Sequence, residues 1–175
     1  MTSAEIDDLI TRIEEQEARL TLPRFDNDDA WRLGTLLVEL ARDRSAPVTI
    51  DIRRNGQQLF HCALPGTTAD NDAWIERKVR TVNRYGHASY LVGLRFTAKG
   101  TTFEESSRLD PDTYAAHGGC FPIILTGTGP VGTVTVSGLP QADDHDLVVA
   151  ALETYIRHHI NLEPPGPESR RSRVG

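Results

Sequence analysis

A chain of 175 residues, 25% of them charged and 38% hydrophobic, with a net charge of −6, has the composition of one soluble globular domain. It is long enough to form a core without disulfides or metals. The acidity argues against nucleic acid as the main partner, because phosphate binding needs clustered cations. No stretch approaches the ~18 apolar residues of a membrane span. The opening MTSAEIDDLITRIEEQEARL has neither the basic start nor the apolar core of a secretion signal, so a cytoplasmic location without membrane contact is expected. Cys62 and Cys120 stand far apart with no CxxC, which suits a reducing compartment and two packing thiols.

Residues 3–20 carry Ile6, Leu9, Ile10, Ile13 and Leu20 at helical spacing. This predicts an amphipathic helix capped by Ser3, packed on its own domain or on a neighbouring subunit. A second helix is expected from about Asn27 to Arg44, with Trp31, Gly34, Leu37, Val38 and Ala41 on one side and Phe25 stapling its entry. The period then falls to two. Val48, Ile50 and Ile52 alternate with Thr49, Asp51 and Arg53, and Asn55-Gly56 separates them from a second run, predicting a hairpin with strands over about 47–54 and 57–63. Asp70, Asn71 and Asp72 open a helix with Ile75, Val79 and Val82 as its core stripe and Gly86 near its stop. Tyr90, Leu94 and Thr97 place YLVGLRFTAKG on a helix rather than a strand. Asp110-Pro111-Asp112 suggests a short helical turn before His117. CFPIILT and VGTVTVS form a second hairpin joined by GTGPVG, and a final helix runs from about Asp143 to Ile160. The tail, NLEPPGPESRRSRVG, is rich in Pro and Gly and is expected to be disordered.

Gly127, Gly129 and Gly132 match the spacing of a dinucleotide-binding loop. Such a loop needs a helix after it, to offer its free N–H groups to a pyrophosphate. Here TVTVS follows, so the glycines are read as a surface turn between strands, tolerant of change wherever their conformations are kept. Asp143, Asp144, His145 and Asp146 have the donor types of a metal site, but carboxylates at a helix start also cap its N–H groups. Capping leaves His145 without a role. Trp74, Arg77 and Lys78 share a helix face at i, i+3 and i+4, a set suited to stacking on a flat ligand and meeting its anionic groups, or to a subunit contact. His61, His87 and His117 each stand alone, and only His117 borders a flexible Gly118-Gly119 pair. No GxSxG accompanies Ser137, so serine nucleophile chemistry has no support.

Three motifs in order, NxxWIxRK, HGGxFPI and SGLPxxxDH, span the chain at Asn71 to Lys78, His117 to Ile123 and Ser137 to His145. With Gly132 and Val136 between them, they resemble the haem-degrading domain family, the GlcG-like and HbpS-like group, and within it a cytosolic branch to which the resemblance attaches no reaction. The likeness covers about residues 22–160. It implies a profilin-like α+β fold, a single antiparallel sheet of about five strands flanked by helices. The chain then divides into an N-terminal helix at 1–21, a domain at 22–160 and a tail at 161–175. The resemblance also implies a homo-oligomer, as a dimer or a higher assembly, and makes haem a candidate ligand.

Asn71, Trp74, Arg77, Lys78, His117, Gly118, Gly119, Asp144 and His145 form the candidate site for haem or another planar anion. Arg77 and Lys78 would meet propionates, Trp74 would stack, and His117 or His145 would hold the iron. A rival reading places the same residues at the subunit interfaces of a scaffold or interaction module without a small ligand. A metal-dependent enzyme built on Asp144 and His145 lacks a convincing third ligand.

Overall fold

The computed structural model describes residues 1–160, and the tail with its basic cluster lies outside them. The elements are α1 (Ser3–Arg19), β1 (Thr21–Leu22), α2 (Asn27–Asp43), β2 (Thr49–Arg54), β3 (Gln57–Ala63), α3 (Ala69–Tyr85), α4 (Ser89–Ala98), α5 (Phe103–Ser107), β4 (Cys120–Leu125), β5 (Gly129–Ser137) and α6 (Gln141–Tyr155). A π-helical turn, Ile156–Ile160, continues α6. One sheet contains all five strands in the order β1-β4-β5-β2-β3. Its pairings are antiparallel except that of β1 with β4, so a two-residue strand makes the expected antiparallel sheet mixed at one edge.

Alternation along the strands gives the sheet two unlike faces. Ile50, Ile52, Phe121, Ile123, Val134 and Val136 point into the main core, which α2 and α6 complete. On the other face Thr49 stands opposite Ser137, Asp51 opposite Thr135 and Arg53 opposite Thr133. Helix α3 covers this polar face through β4 and β5, and its apolar stripe of Ile75, Val79 and Val82 closes on Cys120. Apolar area is therefore scarce between α3 and the sheet, and charge and hydrogen bonding do much of the fastening.

Several local expectations are corrected. Thr2, not Ser3, caps α1, in a capping box with Glu5. The helix packs on its own chain against α4, with Ile13 buried and Glu17 accepting from the Ala88 N–H at 2.6 Å. Trp31 is 64% exposed, 5.9 Å from the Phe60 ring, and the buried stripe of α2 is Ala30, Leu33, Gly34, Leu37 and Ala41. Residues around Asp110-Pro111-Asp112 form only a turn, while the helical segment is α5, which Thr102 caps. The loop between β4 and β5 is confined to residues 126–128, and Gly129, Pro130 and Gly132 belong to β5 beside a register shift between Ile123 and Ile124. Helix α6 starts at Gln141 with Pro140 in the cap position and no side-chain cap. Asp143 and Asp144 therefore lie inside its first turn, and the α-helix ends at Tyr155 rather than Ile160.

Candidate ligand cleft

The site grows from the start of α3. Thr68 caps this helix: its Oγ1 accepts from the Asp70 N–H, and the Asn71 Oδ1 accepts from the Thr68 N–H at 2.9 Å. Asp70 and Asn71 thus stand within the first turn. The Asn71 amide also donates to the Ser137 carbonyl at 3.2 Å, pinning the helix start to the end of β5.

Two turns on, Lys78 is only 3% exposed. Its Nζ donates to the Val136 carbonyl and to the Asp144 Oδ2, both at 3.1 Å. Asp144, 2% exposed, also accepts from the Leu139 N–H at 2.9 Å and the Gly138 N–H at 3.4 Å. The carboxylate therefore reaches back to the turn before α6, a use that helix capping did not foresee. Burial pushes the Asp144 carboxyl up, while Lys78 and the two N–H groups oppose that push.

The chain crosses this ion pair at Gly118-Gly119. Gly119 has φ 118°, and a Cβ there would overlap the Val136 carbonyl oxygen and crowd the Lys78 Nζ. A Cβ on Gly118 would overlap the Gln141 carbonyl. Only glycines fit between the pair and the start of α6.

His117 precedes this crossing, exposed, with its ring 5.1 Å from that of Trp74 at 65°. Among the described residues its ring nitrogens make no hydrogen bond. Partial desolvation against its neighbours lowers its pKa, with Lys78 and Arg77 acting the same way and Glu104 opposing, so the neutral imidazole is favoured. The Arg77 guanidinium lies 4.0 Å from the Trp74 ring centre, and its Nε donates to the Ala73 carbonyl at 3.3 Å.

A cleft of about 260 Å³ joins Asn71, Trp74, Lys78, His117, Gly118 and Asp144, and adds Asp70, Ser137, Leu139 and Gln141 to its lining. Sequence reading missed Gln141. It sits inside the SGLPxxxDH motif, and its Oε1 accepts from the Gly118 N–H at 3.3 Å. Arg77 flanks the cleft across Trp74, and Gly119 lies against the ion pair. His145 is elsewhere. One position beyond Asp144 is about 100° around the helix, and there the ring is fully buried between Tyr90 and Phe121, its Nε2 2.9 Å from the Gln16 Oε1. Burial pushes its pKa down to about 4. His61 and His87 are paired with Asp72 and Glu17, each at 2.7 Å.

A family model described as "Haem degrading protein HbpS-like" matches residues 25–153. A UPF0303 protein of Streptomyces coelicolor is 69% identical over 156 residues, 89% of this chain and 99% of its own. One from Rhizobium etli is 50% identical over 147 residues, covering 84% and 89%. Among solved structures, Ybr137w protein is 35% identical with a TM-score of 0.77, covering 83% of this chain and 87% of its own. PduOC in a haem complex superposes at a TM-score of 0.63 with 18% identity over 74% and 93% of the two chains. HbpS does so at 0.59 with 19% identity over 77% and 91%. At those identities the last two establish the fold alone.

Proposed function

Because the chain belongs to the HbpS-like haem degrading protein family, we propose that it is a haem-binding member whose iron ligand is His117. The observation that carries this reading is the imidazole itself: open to a ligand, edge-on to Trp74, with no hydrogen bond on either ring nitrogen among the described residues and its neutral form favoured. Iron coordination requires that free, neutral nitrogen. The haem held by PduOC, which shares this fold, supports a tetrapyrrole as the ligand class. Arg77 is the propionate partner in this reading, because among the described residues its guanidinium meets no carboxylate, whereas Lys78 is committed to Asp144. Bound haem would supply redox-active iron. The chain's own residues bind it, orient it and shield one edge.

The reading includes a cytoplasmic homo-oligomer, with residues 22–160 as the ligand-binding domain and residues 1–21 as a helix added before it. Titration with haemin tests it. A Soret band should develop with wild-type protein, vanish or shift in His117→Ala, and weaken with Arg77→Ala. A wild type that gives no band, or a His117→Ala variant that keeps it unchanged, would refute the assignment.

A second reading, an interaction module without a small ligand, draws support from exposed Trp31 beside Phe60 on the edge strand β3. Native mass measurement of Trp74→Ala and Arg77→Ala separates the two. Disassembly favours the module, and an intact assembly that has lost haemin favours the cleft.

A further inference from the structure

The cleft is one of two cavities that meet at His117. The second, about 210 Å³, is walled by Tyr90, Leu94, Thr97, Phe103 and Ala116 with Glu104 beside them, and His117 and Gln141 border both spaces. Neither cavity alone reaches the ~300 Å³ at which sites for drug-sized ligands begin, and a tetrapyrrole is larger still. Their chemistry differs. The first holds the Lys78–Asp144 pair and the Asn71 amide, while Leu94, Phe103 and Ala116 give the second an apolar wall.

His117 and Gln141 are the two residues common to both linings. Among the described residues the His117 ring is held by contact with Trp74 rather than by a hydrogen bond, and Gln141 is held by the 3.3 Å bond from the Gly118 N–H. The outer walls are firmer. Gly93 lets α4 lie against the Ala116 carbonyl, where a Cβ would overlap it. Thr102, accepting from the Glu105 N–H at 3.2 Å, caps the short helix that sets Phe103 against Val92 and Ala116.

We propose that the two cavities are halves of one binding site divided by the His117 and Gln141 side chains. Its ligand is a flat ring system too large for either half. The polar edge lies beside Asn71 and Trp74, and the apolar edge lies over Leu94, Phe103 and Ala116. This extends the reading of His117 as the haem ligand and rests on it.

Thr97 and Glu104 line the second cavity, and both are exposed, so Thr97→Trp and Glu104→Trp fill it without entering the core. Haemin affinity should fall about tenfold in each, while the Soret position of the bound form stays that of the wild type because His117 is untouched. Matched melting temperatures establish that both variants fold. Wild-type affinity in both would overturn the two-chamber site, and a His117-dependent Soret band in the same experiment would leave the haem reading standing. Absence of any band in the wild type would overturn both.

Discussion

Lys78 and Asp144, one on α3 and the other on α6, form a buried ion pair at 3.1 Å beneath the Gly138-Leu139 turn. It fastens α3 to a sheet face that offers little apolar area. Removing one member of such a pair strands a buried charge, which costs about 3–5 kcal/mol. Lys78→Met should lose that much in urea denaturation. The double change Lys78→Met with Asp144→Leu should recover part of the loss, although the Leu139 and Gly138 N–H groups then lack their acceptor.

His145 makes the protein acid-sensitive. Burial holds its pKa at about 4, below the ordinary 6.5, so the unfolded chain takes up the proton at higher pH than the folded one. The stability tied to neutral His145 is complete above pH 6.5 and is lost as pH falls toward 4, about 3 kcal/mol in all. Thermal melts of wild type and His145→Phe between these limits should show a steeper decline for the wild type. Parallel curves would contradict the assignment.

The GTGPVG segment contains two kinds of glycine. Gly127 has φ 73° and open space around it, whereas a Cβ on Gly132 would overlap the Arg53 carbonyl oxygen across the β2–β5 pairing. Gly127→Ala should cost about 1 kcal/mol from its backbone conformation. Gly132→Ala should cost more, because strand backbones must separate. Chemical denaturation of the two variants gives the order.

The cysteines should differ in reactivity. Cys120 is fully buried, takes a 3.0 Å hydrogen bond from the Thr135 hydroxyl, and has its pKa pushed up to about 12 by burial. Cys62 is half-buried on the edge strand. A thiol reagent should label Cys62 alone in the native protein and both residues after unfolding.

Periodicity and turn chemistry made much of this fold legible. The alternation around Asn55-Gly56 marked the first hairpin, where the two residues adopt φ 50° and 81°, and Tyr90, Leu94 and Thr97 marked α4 as a helix. Less legible was whatever depends on partners far along the chain. Trp31 reads as a core residue until α2 is seen to bury the neighbouring stripe. Asp144 reads as a capping residue until its bonds to Lys78, Gly138 and Leu139 appear, and adjacent His145 faces another layer altogether. The three motifs located the cleft because each supplies one wall of it. Gln141, an unremarked position inside the third, became visible only through its bond to Gly118. Thr68 was hidden for a similar reason, since the acidic run after it looked like a better helix start.

His117 is the proposed iron ligand. The direct measurement is anomalous scattering at the iron edge from crystals soaked in haemin. An iron peak is expected within coordination distance of a His117 ring nitrogen, between Trp74 and the second cavity. An iron peak at another residue, or none in crystals of haemin-saturated protein, would contradict it.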